Sequence, residues 1–165
     1  MGNGRGQPGN RIDPFLTSRF RVEIGSGQGK IEAAFTECSG LEVQTEVFEY
    51  QEGGLNSYTH KLPVKTKVSN ITLKRGIVFS NKLWDWFSKV MNGNIERKNV
   101  SIVLHDLLDQ PVMRWRFYGC YPVKWSGPNF NANENAITIE TLELAAESMD
   151  IEVDAAWGQK HEASS

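Results

Sequence analysis

The sequence predicts a mostly β fold, an antiparallel β-sandwich or barrel with one packed α-helix. Apolar residues alternate with polar ones along several segments, turn-forming residues separate those segments, and a single stretch carries a one-sided helical stripe. Alternation of period two marks a strand with one buried face, and a helix of only about three turns needs a sheet to pack against.

The elements follow in order. Phe20, Val22 and Ile24 alternate with Arg21 and Glu23, and Ile31, Ala33 and Phe35 alternate with Glu32, Ala34 and Thr36. The glycine-rich stretch 25–29 between them reads as a hairpin turn. Segment 41–50 is less regular: Leu41, Val43 and Val47 share one face while Phe48 and Tyr50 take the other. A strand that is apolar in part on both sides implies that its second face meets something. Ile71 and Leu73 alternate with Asn70, Thr72 and Lys74. Leu83, Trp84, Phe87, Val90 and Met91 form the helical stripe. Ser80 or Asn81 caps its start, Asp85 suits its dipole and Gly93 ends it. Asp109-Gln110-Pro111 turns the chain between 100–108 and 112–118, where Met113, Trp115 and Phe117 form the apolar face. In 136–149 the apolar parity changes from Ile137 and Ile139 to Leu142 and Leu144, which predicts a bulge near Glu140-Thr141 or a strand burying each face in turn.

Residues 1–13 hold Gly2, Gly4, Gly6, Pro8 and Gly9 with little to bury, so they read as a flexible tail, as do 155–165. The folded domain is expected over 14–154. The 165 residues carry a net charge of -2, which disfavours a dedicated nucleic-acid binder. No apolar run reaches the roughly 20 residues of a membrane span. No signal-peptide pattern opens the chain, and Gly6 stands where Met1-Gly2 myristoylation needs Ser or Thr, so assembly in the cytoplasm without a membrane anchor is expected.

A search for chemistry yields no catalytic residue, no metal set and no cofactor motif. His60, His105 and His161 lack metal-ligand spacing, and the neighbours His105 and Asp106 point to opposite faces of a strand. Cys38 and Cys120 read as small buried hydrophobes, and Trp84 and Trp115 as core. Gly25-Ser26-Gly27-Gln28-Gly29 joins two strands, whereas a phosphate loop must open a helix. Glu140 and Glu143 fall on opposite strand faces, so they are no carboxylate pair.

An ordered series of segments then carries a resemblance. It comprises Asp13-Pro14-Phe15, Arg19-Phe20-Arg21-Val22-Glu23-Ile24, Phe35-Thr36-Glu37-Cys38-Ser39-Gly40-Leu41, Glu52-Gly53-Gly54 and Lys61-Leu62-Pro63. It continues through Asn70-Ile71-Thr72-Leu73-Lys74-Arg75-Gly76, the helix at Leu83-Trp84, Arg114-Trp115-Arg116-Phe117, Tyr121-Pro122-Val123-Lys124-Trp125 and Ile139-Glu140-Thr141-Leu142-Glu143-Leu144. Over residues 13 to 150 the chain resembles the tail tube proteins of contractile phages and phage-derived contractile injection systems. Val64 departs from the pattern, where glycine would follow Leu62-Pro63.

The resemblance implies a structural, non-enzymatic inner tube protein whose sheets join between subunits into hexameric rings. Those rings stack into a hollow tube, and the lumen carries protein cargo or DNA. It further implies a contractile sheath, a baseplate and tube-initiating proteins as partners. In that setting Gln51, Glu52, Gly53, Gly54, Leu55 and Asn56 are expected to order on stacking against the next ring. The polar positions Gln44, Glu46, Thr138 and Glu140 are expected to line the lumen. The alternatives are a tube-initiating baseplate protein, a secreted ring resembling the type VI tube component, or, in a different class, a small-ligand-binding β-barrel. The last would need a monomer with an apolar cavity.

Overall fold

The structure, a computed structural model, describes residues 19–51, 53–54, 59–77 and 81–154. The tails expected at 1–13 and 155–165 lie outside the described residues, as do 14–18 of the expected domain. The chain runs through β1 (Phe20–Ile24), β2 (Ile31–Ala33), β3 (Glu37–Ser39), β4 (Val43–Tyr50), β5 (His60–Val68), β6 (Ile71–Gly76), α1 (Lys82–Met91), β7 (Lys98–His105), β8 (Pro111–Ser126), β9 (Ile139–Ala145) and β10 (Ser148–Val153). Every strand pairing is antiparallel. Most strands join in the order β2-β1-β7-β8-β9-β6-β3, with β10 added on β8, and β4 and β5 form a separate two-stranded sheet.

The long strand β8 belongs to two layers. Its first part pairs with β7 and β10, and its last part, Tyr121 to Ser126, pairs with β9. The change falls at Gly119, whose φ of 64° lies in the left-handed region that an L side chain resists. Here the register slips, with Lys98 opposite Cys120 but Val100 opposite Phe117, so the buried parity moves from Phe117 to Cys120 and Pro122. The re-phasing expected at Glu140-Thr141 is therefore corrected. Segment 136–149 is not one strand but ends β9 at Ala145 and opens β10 at Ser148. Glu147, between them, donates its N–H to the Tyr118 carbonyl at 3.0 Å. Ile137 and Ile139 are simply exposed, while Leu142 and Leu144 are buried.

Cross-strand rows build the core between the layers. One layer contributes Ile24, Val100, Phe117 and Met149 in one row, and Val22, Ile102, Trp115 and Ile151 in the next. The other contributes the row Cys38, Leu73, Leu142 and Trp125. Large side chains, among them Phe117, Ile24, Leu73, Leu144 and Trp86, fill the space between the layers. Met113 and Trp115, expected in the core with Phe117, are only half-buried. Cys120 is buried and Cys38 half-buried, and burial pushes both thiols up to about 12, so neither is a thiolate at neutral pH.

The helix forms where expected, but its stripe differs. Leu83 and Trp86 are its buried residues, whereas Trp84 and Met91 are exposed. Trp84 instead meets the edge of Trp125, with ring centroids 5.0 Å apart. Trp86 enters the core and donates Nε1–H to the Glu96 carbonyl at 2.7 Å. Trp86→Phe keeps most of the apolar volume and leaves that carbonyl unpaired, which should lower stability by about 1–3 kcal/mol in chemical denaturation. An unchanged denaturation midpoint would show that this bond contributes nothing.

Candidate assembly interface

The hairpin β4–β5 stands apart from the core. All of its side chains are exposed except at its ends, where Tyr50, His60 and Val68 are half-buried. Its exposed apolar residues include Val43, Val47, Phe48 (58% exposed), Leu62 and Val64 (67%). The register sorts these residues into two faces. One carries Val43 with Val68, Thr45 with Thr66, Val47 with Pro63 and Glu49 with Lys61; the other carries Gln44 with Lys67, Glu46 with Lys65, Phe48 with Leu62 and Tyr50 with His60. The register shifts at Glu46/Val47, so Val64, the departure noted in the sequence, is the extra residue of a bulge. Tyr50 stacks on His60 at 5.1 Å near the tip. A two-stranded ribbon exposed on both faces is marginal in water. This one therefore has the form of an arm whose faces are left open to solvent in the single subunit.

Its root is fixed by sterics. β3 continues into β4, and β5 into β6, through 40–42 and 69–70, where Ser69 donates to the Glu42 carbonyl at 3.0 Å. Gly40 has φ 83°, and a Cβ there would lie 2.1 Å from the Asn70 carbonyl oxygen. Only glycine permits this bend.

A second feature is the outward face of the layer β3-β6-β9-β8. Ser39, Thr72, Glu143 and Lys124 form one cross-strand row, and Glu37, Lys74, Thr141 and Ser126 form the next. Lys74 pairs with Glu37 at 3.1 Å and Asn70 donates to Glu143 at 2.8 Å. This polar face was missed as a set. Alternation marked Thr72 and Lys74 as outward, but only the register joins them to Glu143 and Lys124. The layer also ends in open backbone: among the described residues, β3 pairs only with β6, and 121–126 of β8 only with β9. Unpaired edges of this kind invite another strand.

The residues singled out in the sequence divide accordingly. Gln44 and Glu46 lie together on the polar half of the arm, where the Lys67 ammonium hydrogen-bonds Glu46 and holds its carboxyl below the usual range. Thr138 is half-buried just before β9, and its carbonyl accepts the Ile77 N–H at 3.1 Å. Glu140 does not face open space. It shares the covered face with Leu142 and Leu144, pairs with Arg75, and accepts Trp125 Nε1–H at 3.3 Å. Of the loop 51–56, Gln51, Gly53 and Gly54 are described, Gly54 with φ 134°. Glu52, Leu55 and Asn56 lie outside the described residues.

No helix among the described residues is long and apolar enough to cross a membrane, and no group of His, Cys, Asp or Glu among them could hold a metal ion. On the opposite side of the β1-β7-β8 layer, Glu23 takes ion pairs from Lys30 and Arg114. Burial raises its pKa, but the bonds from Lys30 and Arg114 outweigh that and leave it below the usual carboxylate range.

Comparison with known proteins matches this architecture. No curated protein sequence matches the chain. Among solved structures, a chain in the anti-feeding prophage baseplate, 6-fold symmetrised, is 28% identical with TM-score 0.80, covering 87% of this chain and 98% of that one. A chain in the sheath-tube complex of the extracellular contractile injection system PVC is 26% identical with TM-score 0.77, covering 86% and 93%. A type six secretion system protein, 12% identical with TM-score 0.54 over 84% of this chain and 88% of that one, shares the fold. The family model described as T4-like virus tail tube protein gp19 matches residues 16–150. A projecting arm, open sheet edges and a continuous polar face thus occur in a chain that belongs to the tail tube protein family, with a structural role in a tube.

Proposed function

We propose that this chain is the inner tube subunit of a contractile injection particle or phage tail, and that its β4–β5 arm joins it to further copies. The observation that carries this reading is the arm itself, a ribbon with apolar residues on both faces that stay exposed beyond its root, where Val68 packs on the core. The sheet edges at β3 and β8 support the joining of sheets around a ring, six-membered as in the symmetrised relative. Rings then stack inside a contractile sheath on a baseplate, the partners in whose company the similar chains occur. The lumen takes protein cargo or DNA, and its lining draws on Gln44, Glu46 and Thr138. Glu140, held by Arg75, drops out of that lining. The role is structural, with no catalysis.

The loop 51–56 is proposed to order on the next ring. Pro at both Gly53 and Gly54 tests this, because proline fixes φ near -65° while Gly54 sits at 134°. The expected result by electron microscopy is loss of tubes, with circular dichroism of the subunit unchanged. Tubes of normal length would remove the loop from the stacking contact.

A further inference from the structure

The arm is exposed on both faces, and among the described residues an apolar β surface of the subunit is also left partly open. In the layer β1-β7-β8-β10, burial falls off row by row toward the β7–β8 turn. The row Ile24, Val100 and Phe117 is fully buried. In the next, Val22 and Ile102 are buried, Trp115 is half-buried and Ile151 is 49% exposed. In the last, Phe20, Leu104 and Met113 are half-buried and Val153 is 51% exposed. The arm of the same subunit does not cover this end: β5 comes near β10 and Val68 at its root packs against the core, yet Ile151 and Val153 stay about half exposed and the rest of the ribbon is exposed on both faces.

We infer that the end of this face, centred on Trp115, Ile151 and Val153, receives the arm of a second copy, which lays down its Val43, Val47 and Val64 side. This rests on the proposed tube assembly and names the surface through which it works. Charge selects the pairing. Along Val43, Thr45 and Val47 the arm side is uncharged, its Glu49–Lys61 pair lying toward the tip, and the face at Trp115, Ile151 and Val153 is uncharged. The reverse of that layer bears Arg114, Arg116, Asp150 and Glu152, and the outward face of the other layer bears Glu37, Lys74, Lys124 and Glu143. An apolar ribbon on either charged surface would bury charges away from water. Two uncharged pleated faces pack at the ordinary sheet spacing of about 10 Å. Because arm and acceptor are different patches, the contact is heterologous and propagates from copy to copy around a ring.

Cross-linking of assembled full-length chains tests this. Cysteine pairs joining Val43 or Val47 on the arm to Ile151 or Val153 on the face are treated with a short bifunctional maleimide. The wild type, with Cys120 buried and Cys38 half-buried, sets the background. The expected result for at least one of the four pairs is a ladder of covalent multimers carrying most of the protein, several-fold above background. Tubes that form normally while no pair gives more than background overturn the inference. So does linkage confined within single chains, which would place the face under the chain's own arm or tails. Should a cysteine pair impede folding, mixing separate Val47→Cys and Ile151→Cys chains must still yield linked dimers, and their absence from mixed tubes overturns it equally. Failure of the wild type itself to assemble would instead count against the tube reading.

Discussion

Replacing Arg75 by methionine is expected to lower unfolding free energy by about 3–5 kcal/mol, the usual effect of removing one partner from a buried ion pair. The Arg75 side chain is 6% exposed and that of Glu140 15%. The pair sits opposite one another on β6 and β9, with Phe35 under the guanidinium at 6.0 Å and Trp125 donating to the second carboxylate oxygen. Methionine fills the volume but leaves the Glu140 carboxyl without its guanidinium partner beside Leu73 and Leu142. The loss therefore comes from the abandoned carboxyl, and the double variant Arg75→Met/Glu140→Leu should recover most of it. Urea denaturation of the unassembled chain measures both. A single variant within about 1 kcal/mol of wild type, in the range of an exposed pair, would mean that water reaches this site freely.

Gly40→Ala is expected to abolish assembly. A left-handed backbone costs an alanine about 1–2 kcal/mol. Gly93 supplies the control, because it has the same φ of 83° with nothing near its would-be Cβ, whereas that of Gly40 falls 2.1 Å from the Asn70 oxygen. Gly93→Ala should show the backbone strain alone and keep assembling. Gly40→Ala must also push the β5–β6 connection aside, which re-aims the arm. Sedimentation velocity distinguishes them. Equal assembly by the two variants would show that the bend does not aim the arm.

Much of this was legible in the sequence, and what was not has physical causes. Period-two alternation located Val22 with Ile24 and Ile71 with Leu73, because those strands have one wet and one covered face. The two-sided apolar pattern of 41–50 falls on a strand whose two faces are both exposed in the single subunit, and the proposed assembly is what would cover them. The helix was found, but Trp84 and Trp86 both lie near the margins of its apolar stripe. It is Trp86 that turns inward, where the Glu96 carbonyl accepts its N–H. Glu140 read as an outward polar residue because alternation treats charge as solvated. Its partner lies 65 residues earlier, on a neighbouring strand whose register no local pattern reveals. The re-phasing in β8 was hidden because Gly119 gives only one glycine as its signal, and the parity change in 136–149 drew attention to the wrong strand.

Negative-stain electron microscopy of the purified chain at rising concentration tests the central claim most directly. The arm, left uncovered in a single subunit, should drive rings and then stacked hollow tubes as concentration increases. Tubes that stay at one or two rings would point to the initiating member of the same assembly. A particle that remains monomeric throughout, with Gly40→Ala indistinguishable from wild type, would contradict the account.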